Sequence, residues 1–265
     1  LVVLGMAYVL ALPTARPVFA AGTVGTGTAA SCTEAALNAA LVGGGLVRFN
    51  CGSSPVTITL TAQKVITLPT QIDGGGLVTL SGGNAVRHFQ VNAGATLQLD
   101  NLTLRNGRVS SVSGGAITNG GTLLISNTVI FSNTAVAGLG PAHGGAIYNG
   151  GTLVMTNSLM YSNTTTGNGG AIENANVVRL TNVGVYSNVA GVAGGGVYVG
   201  VGTYTMTGGV LNNNRANSGN GGGLYVFTGT LSIVSATVNN NFALSGGTVL
   251  AASSQWHPER HDLLQ

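Results

Sequence analysis

A block that returns five times constrains this chain more than any other feature. It opens on two glycines, a small residue and an aliphatic: GGAI at 114–117, 144–147 and 169–172, GGGV at 194–197, GGGL at 221–224, and a further GGTV at 246–249. Successive heads lie 30, 25, 25, 27 and 25 residues apart. Gly121, Gly151, Asn176, Gly202 and Gly229 each stand twelve residues ahead of an asparagine, at Asn133, Asn163, Asn188, Asn214 and Asn241. Insertions therefore fall outside this core, mostly just before the Gly-Gly head. A unit of about 25 residues cannot bury its apolar face alone, so a fixed period of this size implies stacked coils, a solenoid.

The pattern inside the block specifies the coil. The third and fifth residues are apolar each time: Leu123 and Ile125, Leu153 and Met155, Val178 and Leu180, Tyr204 and Met206, Leu231 and Ile233. Period-two alternation places both on one face of a strand. Ile130, Met160, Val185, Leu211 and Val238 make a second apolar column, and Ile117, Ile147, Ile172, Val197 and Leu224 a third. Three inward columns predict three strands per coil, and the strong preference for right-handed crossovers between parallel strands sets the expected hand. The predicted fold is all-β: a right-handed parallel β-helix with a short N-terminal capping helix. Glycine pairs suit its corners, and the asparagines are expected to bond their counterparts in the next coil. An earlier block near Gly94 fits with its register slipped by one residue.

Residues 33–42, TEAALNAALV, carry the helical pattern, with Thr33 as N-cap, Gly43-Gly44-Gly45 as stop, and Ala36, Leu37, Ala40 and Leu41 on one face. Such a helix would cover the open end of the first coil. Short strands follow at 46–50, 56–60, 65–68, 77–80, 89–91 and 96–99. Residues 1–20 read as a secretory signal peptide that begins partway through: an apolar run at 1–12, then Pro13, Pro17 and Val18-Phe19-Ala20. The β-helix domain is expected over 21–254, with its cap at 31–52 and clear repeats at 114–250; 255–265 form an atypical tail. Cys32 and Cys51 either pair or stay as two buried thiols, and an even count in an exported chain favours the disulfide.

Composition narrows the chemistry. Charged residues are 6% of the chain, and the net charge of +3 comes from scattered lysines and arginines without a cluster, which argues against a nucleic-acid partner. After the N-terminus no apolar run approaches the ~20 residues of a membrane span. Between cap and tail the only acids are Asp73, Asp100 and Glu173. Asp73 sits in a glycine turn, and the other two fall on different strands two to three coils apart, so no carboxylate pair or calcium site is expected. His88 and His143 read as surface turn residues. No catalytic residue, metal site or cofactor is expected. Two outward columns carry aromatics: Thr118, Tyr148, Glu173, Tyr198 and Tyr225 in one, Phe131, Tyr161 and Tyr186 in the other. The candidate ligand contacts are Tyr148, Tyr161, Tyr186, Tyr198 and Tyr225, which either stack on sugar rings or stack on each other and stiffen the sheet.

GGAI followed by Phe131-Ser132-Asn133-Thr134, and again by Tyr161-Ser162-Asn163-Thr164, resembles the GGA[ILV] and FxxN repeats of chlamydial polymorphic outer-membrane proteins. The segment from Cys32 through Gly43-Gly44-Gly45 to Asp73-Gly74-Gly75-Gly76 resembles the N-terminal cap of bacterial surface β-helix proteins with the pectin-lyase-like fold. The resemblance covers roughly residues 30–250 and implies a secreted or surface-displayed, adhesin-like protein. The leading expectation is therefore a non-catalytic β-helix with an adhesive, carbohydrate-binding or structural role, whose partners are polysaccharides or molecules of a host or neighbouring cell surface. End-to-end self-association is a further possibility. The alternative is a polysaccharide lyase or glycoside hydrolase of the same fold.

Overall fold

The computed structural model describes residues 22–139, 142–247 and 249–251; the expected signal peptide and the atypical tail lie outside the described residues. Within them the chain winds as a parallel β-solenoid with three sheets. The first sheet takes two consecutive runs from each repeat coil, such as Thr122–Ser126 and Val129–Phe131. The two are joined through Thr96–Arg105, where both runs form one continuous strand. The second sheet is narrow and runs from Arg108–Ser110 through Thr134–Val136 to Phe242–Ala243. The third stacks Lys64–Ile66, Phe89–Val91, Ile117–Asn119, Ile147–Asn149, Ile172–Asn174, Val197–Val199, Leu224–Val226 and Val249–Ala251.

Register aligns like with like. Leu97, Leu123, Leu153, Val178, Tyr204 and Leu231 face one another in succession across the first sheet. All six are buried, as are the Ile130 and Ile117 columns. Each side chain withdrawn from water in this way contributes about 1.5–3 kcal/mol before chain entropy is counted. The slipped block is absorbed at its start: Thr96 pairs with Thr122, so Ala95 rather than Gly94 takes the place of Gly121.

The corners follow from residues that tolerate a left-handed backbone. Asn127, Asn157 and Asn182 turn the first run into the second with φ of 46°, 46° and 53°, and Gly208 takes the same place at 65°. The expected asparagine ladder is present and doubly bonded. Asn163 Oδ1 accepts from both the backbone N–H and the Nδ2 of Asn133, each at 3.0 Å. The same pair of bonds links Asn163 to Asn188, Asn188 to Asn214 and Asn214 to Asn241, all within 2.9–3.0 Å. A second, shorter ladder runs through Asn119, Asn149 and Asn174, with Nδ2-to-Oδ1 distances of 2.7 and 2.8 Å.

The N-terminal end is closed as the sequence predicts. The helix spans Glu34–Leu41, Thr33 Oγ1 accepts from the Ala36 N–H at 3.2 Å, and Leu37 and Ala40 are buried. The disulfide joins Cys32 to Cys51 with their Cα atoms 5.7 Å apart. Glu34 accepts from the backbone and hydroxyl of Thr61 and from Lys64 Nζ, tying the cap to the next coil. Burial would raise the Glu34 pKa, but these donors outweigh it and bring it down to about 2. Among the described residues no helix is long and apolar enough to cross a membrane, which says nothing of membrane strands.

His88 departs from the sequence expectation. It is fully buried, with Nε2 3.0 Å from Leu80 O and 3.1 Å from Arg105 O. It follows a coil corner but points inward, where its own coil supplies Leu80 O and the next coil Arg105 O. Burial lowers its pKa to about 4, so it is neutral at ordinary pH.

Candidate functional site

The register of the third sheet fixes its outward column. Gln90, Thr118, Tyr148, Glu173, Tyr198 and Tyr225 are paired neighbours on successive strands. The column Phe131, Tyr161, Tyr186 is equally continuous, but it lies on the first sheet. The five candidate tyrosines therefore fall on two faces. Tyr148, Tyr198 and Tyr225 share one; Tyr161 and Tyr186 share the other.

The two columns differ in what they offer a ligand. Phe131 and Tyr161 stack with centroids 4.9 Å apart and planes within 6°; Tyr161 and Tyr186 stack at 5.1 Å and 5°. Ring faces in that arrangement cover one another and leave mainly edges to solvent. Tyr198 and Tyr225 also touch, at 5.5 Å and a 34° tilt. Tyr148 sits between Thr118 and Glu173 and has no ring partner among the described residues.

Tyr148 lies in a groove of about 790 Å³. The floor is the outward column Gln90, Thr118, Tyr148 and Glu173; Val112, Ser113 and His143 form one wall, and Asn92 and Ala93 lie at the other side. His143 stands just before a Gly-Gly head, in register with Ser113 and Asn168, and a longer corner precedes it. Gly144 follows Asn133 by eleven positions, whereas Gly169 follows Asn163 by six. The excess is accommodated between the strand Thr134–Val136 and Ala142, because Ala142 and His143 again contact Gly167 and Asn168 of the next coil. This is the 30-residue coil that stands out in the head spacings.

His143 is half-buried in that wall, not a free turn residue. Its Nδ1 accepts the backbone N–H of Asn168 at 3.0 Å and lies 3.1 Å from Glu173 Oε2. The Asn168 bond requires an unprotonated Nδ1, which assigns the ring proton to Nε2 and leaves the imidazole neutral. Burial lowers the His143 pKa in the same direction. Glu173 is 14% exposed, and its Oε2 is buried without a hydrogen bond. Burial away from a cationic partner raises its pKa to about 8. Arg87 also lines the groove, but each of its nitrogens is engaged: Nε with Gly114 O at 2.8 Å, Nη2 with Ser113 O at 2.6 Å and Nη1 with Gln63 Oε1 at 3.3 Å.

The other two acids lie elsewhere. Asp73 caps a glycine turn, accepting from the Gly75 N–H at 3.1 Å and from Asn101 Nδ2 at 3.0 Å, as the sequence suggests. Asp100 belongs to the first sheet and accepts from Gln71, Gln98 and Ser126. The groove thus holds a single carboxyl group. Among the described residues no group of three His, Cys, Asp or Glu side chains could hold a metal ion. The sequence placed Thr118, Tyr148 and Glu173 in one outward column but did not bring Gln90 and His143 to it. A histidine just before a Gly-Gly head, one coil ahead of a glutamate in an otherwise tyrosine-rich column, was the signal for His143. Comparison with protein-family models, curated proteins and solved structures finds no match to this chain.

Proposed function

We propose that the chain is a secreted or surface-displayed β-solenoid that binds polysaccharide without cleaving it, along the groove floored by Tyr148. One observation carries this reading: an aromatic ring without a ring partner among the described residues lies in a groove lined by Gln90, Asn92, Ser113 and Thr118, groups suited to sugar hydroxyls. The Cys32–Cys51 bridge supports an oxidising compartment. The GGAI and FxxN-like repeats, similar to those of chlamydial surface proteins, and the cap, similar to that of pectin-lyase-like proteins, support surface display.

A second reading, a glycoside hydrolase or lyase, is favoured by Glu173, whose raised pKa suits a general acid. Against it stands the lack of a second carboxyl group in the groove, which acid–base glycoside cleavage ordinarily needs. The test is a glycan array probed with the full chain and with Tyr148→Ser. Binding should weaken about tenfold in the variant, the worth of one good ring contact. Absence of binding by the folded parent, or release of new reducing ends from a bound glycan, would defeat the non-catalytic reading.

A further inference from the structure

We propose that the groove selects uncharged pyranose chains over their uronate-bearing counterparts, with the Tyr148 ring and the Glu173 carboxyl as its central contacts. This rests on the polysaccharide-binding reading above and adds the class of sugar.

Three observations converge on it. The floor from Gln90 to Glu173 crosses four successive strands, about 14 Å along the axis, enough for a short oligosaccharide. Its polar groups are amides, hydroxyls and one carboxyl. The one guanidinium, that of Arg87, is buried, and one donor on each of its three nitrogens is held by Gly114 O, Gln63 or Ser113 O, which disfavours the two-pronged clamp by which arginine holds a carboxylate. Finally, Glu173 faces no cation that could favour its ionised form. Its neighbours in the column are Tyr148 below and Tyr198 above, with Tyr225 one strand further, and His143 presents an unprotonated Nδ1.

Glu173 Oε2 is buried against His143, so a protonated carboxyl meets a sugar through Oε1, which can donate its O–H to a hydroxyl or accept a hydroxyl proton. A uronate carboxylate placed in the same groove would lose hydration without gaining a two-pronged clamp, and would sit against a group that becomes an anion as pH rises. Juxtaposed like charges of this kind oppose binding strongly.

The experiment is a titration of the full chain with matched oligosaccharides: gluco-, galacto- and manno-hexaose, each beside its form oxidised to the 6-carboxylate. At about pH 6.5 the tightest neutral ligand is expected to bind about tenfold more tightly than its oxidised partner. Between about pH 6.5 and 9 its affinity should fall several-fold in the parent and stay nearly level in Glu173→Gln, whose amide cannot ionise. Circular dichroism establishes that each variant is folded, and the neutral-to-oxidised ratio is read on the parent alone. If the oxidised partner binds as well or better and Tyr148→Ser abolishes that binding, the selectivity is wrong while the groove remains a polysaccharide site. A pH decline that persists in Glu173→Gln removes Glu173 from its role. If no pair binds, or Tyr148→Ser leaves binding intact, the polysaccharide reading falls and this inference with it.

Discussion

Single residues in this protein act mainly through their counterparts one coil away. Asn163 is the clearest case. Its Oδ1 receives two donors from Asn133, its own N–H and Nδ2 reach Asn188 Oδ1, and Nδ2 also bonds Ile130 O, all with the side chain fully buried. Asn163→Ala strands the backbone N–H of Asn133 away from water at about 1–3 kcal/mol, while Asn133 Nδ2 keeps Leu104 O and Phe131 O, and losing the bonds of Asn163 Nδ2 costs about 1 kcal/mol more. We expect the variant to be about 2–4 kcal/mol less stable, read as a lower urea midpoint, with its circular dichroism spectrum unchanged in native buffer. The asparagine column was legible in the sequence because its spacing of twelve residues survives every insertion. His88 was not, since its partners Leu80 O and Arg105 O are main-chain atoms that no side-chain pattern advertises.

At the level of strands and corners, close approach of main chain to main chain controls what the coils tolerate. A Cβ placed on Gly170 would land on Gly195 O and lie 2.7 Å from Val189 N, both backbone atoms with little freedom to move. Gly170→Ala must therefore push two coils apart, and overpacking of this sort costs about 1–3 kcal/mol or more. Gly75 offers the contrast: nothing lies within 4 Å of the added atom, and the strain there comes only from its φ of 60°. Denaturant melts of the two alanine variants should rank Gly170 as the more damaging; equal losses would mean that backbone conformation, not coil spacing, sets the cost. Strand positions were readable from alternation and Gly-Gly punctuation, but their lengths were less so. The expected strand at 77–80 is part of Thr70–Ser81, which continues across a register shift between Asp73 and Val78. The cap helix was readable because Thr33, the apolar spacing and the glycine stop agree.

The whole molecule has an uneven charge economy, and that gives its stability a definite dependence on pH. Glu173 is raised from 4.5 to about 8, so the folded state holds a proton across that window which the unfolded state has released. Its contribution is full below about pH 4.5 and is lost as pH rises through about 8. His88 is lowered from 6.5 to about 4, and its contribution has the opposite sense: present above about pH 6.5, lost as pH falls through about 4. Thermal melts should show a fall between about pH 4.5 and 8 that Glu173→Gln removes, and an acid drop that this variant leaves in place. A fall over that window unchanged in Glu173→Gln would show that the carboxyl is not protonated in the folded chain. The candidate site was the least legible level. Column membership was plain from the repeat, yet the contact of His143 with Glu173 was not, because it joins the residue just before one Gly-Gly head to an outward side chain of the next coil. The long coil also bears on how such a chain can change. Strand registers on both sides of 137–141 are the same as in the 25-residue coils, so residues can be gained or lost at this corner by insertion and deletion without the ladders being realigned. Inheritance can thus change this corner without touching the scaffold, and homologous proteins should diverge in length here before they diverge anywhere in the columns.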